Sequence, residues 1–108
     1  MSLTKNGKMR KFGDVIIAEV QFVDTREIKR RPALVLFEEF DNIICLAITS
    51  NPKMIGVPLA KDEGMLRDSV VKLNYIFTIS REKVHKFIFS ISNEKKSIIK
   101  SELIKKLN

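Results

Sequence analysis

The sequence contains one cysteine, one histidine, four glycines and no tryptophan. Because Cys45 is the single cysteine, neither an intrachain disulfide nor a cysteine-based metal site can form within the chain. The scattered glycines make no phosphate-binding loop, and no His, Cys and acidic residues cluster at metal-ligand spacing. No apolar run approaches the roughly 20 residues of a membrane-spanning helix, and the charged first residues lack a signal peptide's apolar block. We therefore expect a cytoplasmic protein with no membrane association, metal or nucleotide cofactor.

The length and composition are those of one ordinary globular domain. The 108 residues are 44% apolar and 31% charged, so we expect a single domain spanning residues 1–108. The net charge of +7 comes from the two ends, since residues 12–80 hold eight basic and ten acidic side chains. Total charge is therefore weak evidence for a polyanion ligand, and a local cluster of cations is more informative.

Short apolar and β-branched runs predict a series of strands separated by turn residues. The first strand is predicted at 15–22, followed by a highly charged loop at 24–31. A second strand is predicted at 33–40, and Pro32 leads into it, since the start of a strand tolerates a missing N–H. Asp41-Asn42 predicts a hairpin turn into a third strand. This third strand is apolar from Ile43 to Ile48, which predicts burial on both faces.

The second half of the chain predicts shorter strands and then a helix. An edge strand is predicted at 57–59, a turn at 61–64, two strand segments at 68–73 and 76–79, a helical turn at 81–85 capped by Ser80, and a late strand at 87–91. From residue 93 the apolar period becomes helical, with Ser92 as the N-cap and one apolar face formed by Ile98, Ile99, Leu103 and Leu107. This pattern predicts a small, bent antiparallel sheet or barrel with one packed helix, leaving one side open to a ligand.

The order of short motifs resembles that of the PemK/MazF toxins from residue 13 to about residue 80. Gly13-Asp14 resembles their opening motif, and Phe22-Val23-Asp24-Thr25 resembles the entry to the first loop in one branch of the family. The most recognisable string is Arg30-Arg31-Pro32-Ala33-Leu34-Val35-Leu36. The later matches, in the expected order, are Ala47-Ile48-Thr49-Ser50, Val57-Pro58-Leu59, Asp68-Ser69-Val70-Val71 and Phe77-Thr78-Ile79.

This resemblance implies more than the composition and periodicity do. It implies an SH3-like barrel of the kind shared with CcdB toxins, a homodimer, and a cognate antitoxin that covers the active face. It also implies a metal-independent endoribonuclease, in which the 2′-OH of single-stranded RNA attacks the adjacent phosphate. Such chemistry needs a base, an acid for the leaving oxygen, and positive charge for the transition state.

Arg31 and Thr49 match the catalytic arginine and the active-site threonine of the family. A guanidinium suits the phosphate because it stays charged and donates two parallel hydrogen bonds. Without the resemblance, Arg31 would be a surface arginine and Thr49 a packing or turn residue at a strand end. Ser50 is expected to share the role of Thr49, and Lys29 and Arg30 to hold the RNA backbone by charge, unless they form only a solvated loop.

The segment around Asn74 departs from the family pattern. Lys72 keeps a basic residue, and we expect it to contact RNA together with Asn74 and Tyr75. Asn74 stands where relatives commonly carry an acid, and its amide cannot exchange a proton near neutral pH. Tyr75 replaces a usual polar residue, and its ring is suited to stacking on an unpaired base.

Two other functions are weaker alternatives from sequence. Because Asn74 and Tyr75 depart from the pattern, a non-catalytic RNA-binding module that keeps the barrel remains open. A gyrase-directed toxin of the CcdB type is disfavoured, because those toxins use a C-terminal tryptophan and this chain ends Lys106-Leu107-Asn108. His85 lies outside the matched motifs and is interpreted as structural or solvent-facing.

Overall fold

The computed structural model of the chain describes residues 9–21, 26–51 and 53–108. Its six strands form one antiparallel sheet in the order β4-β5-β3-β2-β1-β6, and a helix follows the last strand. This arrangement is the mostly antiparallel half-barrel with a C-terminal helix that the sequence predicts. The bounds are β1 Asp14–Gln21, β2 Ile28–Glu39, β3 Asn42–Thr49, β4 Val57–Leu59, β5 Ser69–Ser80, β6 Val84–Ser90 and α1 Asn93–Leu107. The predicted Phe22-Val23-Asp24-Thr25 motif lies outside the described residues.

The middle of the sheet is buried on both faces. Along β3, Ile43 and Cys45 belong to one apolar cluster, whereas Leu46 and Ile48 belong to another on the opposite face. The second cluster also contains Ile99 of α1, so the helix covers that face. The continuous apolar run of this strand therefore has the burial that the sequence predicts for it.

The turn between β2 and β3 depends on two residues in the left-handed region. Phe40 has φ 53° and Asp41 has φ 62°, as two-residue hairpin turns of type I′ require. Asn42 already belongs to β3, where it pairs with Glu39. The predicted hairpin is confirmed, with its turn one residue earlier than the Asp41-Asn42 pair.

The Gly13-Asp14 pair connects three parts of the chain. The Gly13 N–H donates to the Val35 carbonyl at 3.0 Å, and its carbonyl accepts from Ile91 N–H at 2.9 Å. Gly13 has φ 96°, a conformation that glycine adopts without strain. The buried carboxylate of Asp14 accepts from the Ser90 hydroxyl at 2.8 Å. These contacts give the motif a structural role at the junction of β1, β2 and β6.

The predicted loop at 24–31 is wrong for its last four residues. β2 begins at Ile28, and Lys29, Arg30 and Arg31 pair with residues of β1. Cross-strand pairing with β1 keeps these residues in a strand, and all of their charged side chains remain exposed to water. Pro32 is consequently internal to β2 and pairs with Ile17, at a point where β3 no longer pairs and β2 has an open edge that tolerates a proline.

The two predicted segments around Asn74-Tyr75 are one strand. In β5, Lys72 pairs with Ala47 and Ile76 with Leu46, so residues 73–75 have no partner on β3. These three extra residues form an irregularity that bends the strand without ending it. The short edge strand predicted at 57–59 is β4, and the structure pairs it with β5.

The helix has a narrower buried stripe than its sequence predicts. The Ser92 hydroxyl accepts from Lys95 N–H at 3.1 Å, which confirms the N-cap. Ile99 is buried and Leu103 is half-buried, but Ile98 is 42% exposed and Leu107 is 86% exposed. Only part of the predicted apolar face therefore reaches the core. In the described part of the chain, no helix has the length and apolar content needed to cross a membrane.

The end of the sheet near the β2–β3 turn contains a buried ion pair. Arg81 donates to the Glu38 carboxylate at 2.6 Å, and these side chains are only 4% and 1% exposed. The other Glu38 oxygen accepts from the Arg10 N–H at 2.7 Å. Arg81 begins a 3₁₀ turn, Arg81–Lys83, which is shorter than predicted, and the Ser80 hydroxyl donates to Glu82 instead of capping the backbone. We call this region the closed end.

Candidate functional site

The opposite end of the sheet splits into two arms. The pairing of β2 with β3 stops at Ala33 and Ala47, although both strands continue beyond these residues. β2 stays paired with β1 as far as Ile28 and Gln21, whereas β3 stays paired with β5 as far as Thr49. A cleft of about 510 Å³ opens at this fork.

This cleft, named the fork cleft here, contains the residues predicted to be catalytic. It is lined from the β1–β2 arm, from the β3–β5 arm, from the loop before β5 and from β6. The lining residues are Ile17, Arg31, Pro32, Ile48, Thr49, Ser50, Met65, Leu66, Arg67, Ser69 and Ile88. The structure thus brings Arg31, Thr49 and Ser50 to one cavity, although Arg31 lies on β2 and the other two lie at the end of β3.

Arg31 is an exposed side chain near the start of β2. Its Nη1 donates to the Arg30 carbonyl at 3.3 Å. Because the guanidinium remains protonated in proteins, Arg31 brings a permanent positive charge to the cleft. Continuing the β2–β3 register by two residues places Arg31 opposite Thr49, across the gap where the strands have separated.

Thr49 is half-buried at the last position of β3. Its hydroxyl oxygen accepts from Asn51 N–H at 3.1 Å, which orients the side chain within a local turn. A hydroxyl that accepts one bond still has a hydrogen to donate. Ser50 follows directly and is exposed. The hydroxyls of Thr49 and Ser50 and the guanidinium of Arg31 therefore line the same cavity, a combination suited to an anionic oxygen.

Arg67 is a cleft residue that sequence reasoning missed. It lies in the loop between the 3₁₀ turn Lys61–Glu63 and β5. Two contacts fix this loop: the Ser69 hydroxyl donates to the Arg67 carbonyl at 2.9 Å, and Asp68 accepts from Lys61 N–H at 2.8 Å. Arg67 gives the cleft a second permanent cation. Its place depends on how the loop folds across the fork, and no local motif signals that.

Lys29 and Arg30 lie beside the fork cleft and do not line it. Lys29 forms an ion pair with Glu27 at 3.4 Å. The Arg30 Nη1 lies 3.3 Å from the His85 Nε2, and the register partner of Arg30 on β1 is Glu19. Both residues were predicted to hold RNA, and the structure puts them on the β1–β2 arm just outside the cavity.

Lys72 and Asn74 line a different cavity, of about 480 Å³, between α1 and the β4–β5 pair. We call it the helix cleft, and its lining residues are Lys53, Met54, Ile55, Gly56, Val57, Lys72, Leu73, Asn74, Glu102 and Lys106. The two cavities are not remote along β5, because Lys72 is two residues from Val70, the partner of Thr49. The predicted RNA-binding set is nevertheless divided between them.

Tyr75 lies next to the helix cleft, in the irregular part of β5. The residue is 47% exposed, and its ring makes an edge contact with Phe77 at a centroid distance of 5.8 Å. The Lys72 ammonium lies 5.4 Å from the centre of the Tyr75 ring, within the range of a cation–π contact. This surface holds a cation beside an aromatic ring, and stacking of a base on Tyr75 stays a prediction.

One pKa in the described chain is strongly shifted, and it lies outside both clefts. Burial raises the pKa of the Cys45 thiol to about 12, because the thiolate would lose its hydration in the core. Cys45 is therefore a neutral core residue and no nucleophile. Among the described residues, no group of three or more His, Cys, Asp or Glu side chains is arranged to hold a metal ion.

Comparison with known proteins agrees with the fold and the motif order. A family model described as "PemK-like, MazF-like toxin of type II toxin-antitoxin system" matches residues 11–107. The Mycobacterium tuberculosis toxin MazF-mt6 superposes with a TM-score of 0.73 at 20% identity, over 87% of this chain and 95% of that chain. A MazE-MazF structure (Form-II) from Deinococcus radiodurans gives a TM-score of 0.73 at 15% identity, over 93% and 96%.

A third solved structure is an endoribonuclease in complex with its cognate antitoxin from a mycobacterial species. It has a TM-score of 0.70 and 14% identity, and covers 91% of this chain and 94% of that chain. No match is found among curated proteins. At these identities the solved structures establish a shared fold, whereas the family model covers nearly the whole chain.

Proposed function

Because the chain belongs to the PemK-like, MazF-like toxin family of type II toxin-antitoxin systems, we propose that it is a metal-independent endoribonuclease. Its substrate is single-stranded RNA, and the reaction is attack of a 2′-OH on the adjacent phosphate. The observation that carries this proposal is the presence of Arg31 and Thr49 in one open cleft, although they lie on separate strands.

The fork cleft supplies the positive charge that the reaction needs. The pentacoordinate phosphate gains negative charge as the 2′-oxygen attacks, so fixed donors aimed at its oxygens stabilise the transition state more than the ground state. Arg31 takes this role, and Arg67 binds the same phosphate or its neighbour. The Thr49 hydroxyl donates to a phosphate oxygen or to the leaving 5′-oxygen, with Ser50 beside it.

The groups available for proton transfer are less complete than those available for binding the phosphate. The amide of Asn74 cannot serve as a general base, and the residue lines the helix cleft instead of the fork cleft. We assign Asn74, Lys72 and Tyr75 to binding of the flanking nucleotides. The same observation favours a second candidate function, an RNA-binding module that holds RNA in both clefts without cutting it.

The partners follow from the family. Two of the similar structures are described as a toxin or endoribonuclease together with its antitoxin, and we extend this to the present chain: a cognate antitoxin covers the fork cleft. We further propose that residues 1–108 act as one toxin domain, that the toxin is a homodimer, and that it works in the cytoplasm.

A cleavage assay tests the nuclease proposal. The purified protein is incubated with single-stranded RNA in excess EDTA, and the product ends are analysed. We expect 2′,3′-cyclic phosphate and 5′-hydroxyl ends. Arg31→Ala should reduce the rate by about 10²- to 10³-fold, as loss of a single transition-state donor does elsewhere.

The control for this assay is Lys105→Ala, which removes a cation from the helix surface where Lys105 pairs with Glu102. It should cleave at nearly the original rate. RNA binding without cleavage by the unaltered protein would favour the binding module. Cleavage that continues at full rate in Arg31→Ala would contradict the proposed mechanism.

A further inference from the structure

Arg30 and His85 meet across the β1–β2 arm although they are 55 residues apart in the chain. The Arg30 Nη1 and the His85 Nε2 are separated by 3.3 Å. A guanidinium has only donors, so His85 must accept this hydrogen bond through a lone pair on Nε2. The imidazole form that can accept there is the one with its hydrogen on Nδ1.

The pair lies one row beyond the fork cleft. Ile17 and Pro32 line the cleft and are partners between β1 and β2. Two residues further along each strand, Glu19 and Arg30 are partners and share the same face, about 7 Å away by strand geometry. A phosphodiester chain that occupies the cleft reaches this row with its next phosphate, because neighbouring phosphates are separated by a similar distance.

An irregularity in β6 places His85 against this row. Val84 pairs with Ala18 and Lys86 pairs with Ile17, so His85 has no partner of its own on β1. The extra residue changes the direction in which the side chain points, as bulges commonly do. His85 is exposed, and so is Arg30, which leaves the pair accessible to a ligand.

The charged neighbours determine what this pair binds. Arg30 comes from β2, Glu19 from β1 opposite Arg30, and Lys83 and Lys86 flank His85 on the 3₁₀ turn and β6. Protonation of His85 without a ligand would put a second cation beside Arg30. An anion between the Arg30 guanidinium and the His85 imidazole offsets this repulsion and accepts from both, and Glu19 remains as a countercharge for the arm.

We propose that Arg30 and His85 form a proton-linked phosphate site, in which a phosphodiester of bound RNA replaces the Arg30–His85 hydrogen bond and His85 takes up a proton. The His85 Nε2 then changes from an acceptor to a donor, and both side chains donate to phosphate oxygens. The proton comes from solvent, and imidazole exchanges protons readily near neutral pH. This inference rests on the proposed RNA substrate and adds a pH-dependent contact to it.

The test uses a 2′-O-methyl single-stranded RNA, which binds but cannot be cut because it has no free 2′-OH. His85 is the single histidine of the chain, so its ring nitrogens give one unambiguous set of NMR signals. At neutral pH we expect the Nδ1–H neutral ring in the free protein and the doubly protonated ring in the saturated complex. Affinity should also increase as pH falls, by up to about tenfold per unit while one proton is taken up on binding.

Three variants separate this site from general electrostatics. His85→Gln keeps an acceptor for Arg30 but cannot gain a proton, so binding should lose its pH dependence. Arg30→Ala should weaken binding several-fold and reduce the slope of log affinity against log salt by about one. Lys105→Gln removes one charge elsewhere and should leave the pH dependence intact.

The outcomes distinguish this inference from the nuclease proposal. A saturated complex in which His85 stays neutral, or a pH dependence that survives in His85→Gln, would overturn the inference and leave cleavage at Arg31 untouched. Failure of the RNA analogue to bind at all would overturn this inference, whereas the cleavage assay with unmodified RNA decides the nuclease proposal. Binding that protonates His85 in a protein that cuts no RNA would keep this site and refute the nuclease.

Discussion

The two ends of β2 use arginine in opposite ways. At the closed end, Glu38 of β2 holds Arg81 in a pair that is almost fully buried. At the forked end, Arg30 and Arg31 of the same strand are exposed beside a cleft. The charge chemistry is the same, but one end has expelled water and the other has not.

This difference in burial indicates whether each arginine contributes to stability or to ligand binding. A buried ion pair recovers the cost of desolvation only while both partners are present, so its residues are tied to stability. An exposed arginine adds little to stability and keeps its charge available for an anionic ligand. Substitutions at the closed end should therefore destabilise the folded protein, and substitutions at the fork should impair function with little effect on its stability.

The largest effect is expected for Glu38→Ala. It leaves the Arg81 guanidinium buried without its carboxylate and removes the acceptor of the Arg10 N–H. We expect the free energy of unfolding to fall by about 3–5 kcal/mol, measured by urea denaturation. Glu39→Ala, at the exposed neighbouring position, is the matched control and should change it by less than about 0.5 kcal/mol. Similar losses in both variants would break the comparison.

A smaller effect, on activity and with little change in folding, is expected for Thr49→Val. The substitution keeps the shape and removes the hydroxyl that lines the fork cleft and accepts from Asn51 N–H. We expect RNA cleavage to slow by about tenfold or more and stability to fall by about 1 kcal/mol. Thr49→Ser restores the hydroxyl and should recover most of the rate. If Thr49→Val cleaves normally, the hydroxyl has no part in the reaction.

The smallest effect concerns Cys45, in the apolar cluster that also contains Ile43. Its pKa is raised to about 12 from 9.0 by burial. Because the folded-state value is the higher one, this thiol's contribution to stability is complete below about pH 9 and declines as pH rises toward 12. We expect almost no reaction with a thiol reagent at pH 8 in the folded protein and rapid reaction in urea. Fast labelling of the folded protein would show that water reaches this core.

Much of the fold could be predicted because local patterns and tertiary structure agree. The apolar and β-branched run of β1, the continuous apolar run of β3 and the cap at Ser92 each determine an element without help from distant residues. Ile28 to Arg31 could not be predicted as a strand from composition, because pairing with β1 outweighs the charge of these side chains. The exposed Ile98 and Leu107 could not be predicted either, because the helical period does not show how far the sheet extends beneath α1.

The candidate site was predictable only where a motif contains it. Arg31 and Thr49 were identified from the family strings, and the structure adds that they face one cleft. Arg67 and the contact of His85 with Arg30 depend on a loop crossing the fork and on an extra residue in β6. Neither has a local signature, since each arises when distant segments meet.

The pairing of the first strand with the last has a consequence for the timing of synthesis. β1 is synthesised first of the six strands. Its neighbour β6, and the Ser90 hydroxyl that binds Asp14, are synthesised about 70 residues later. Ile88 of β6 also lines the fork cleft. A ribosome must therefore translate past residue 90 before the cleft is whole, so incomplete chains released earlier lack the assembled site.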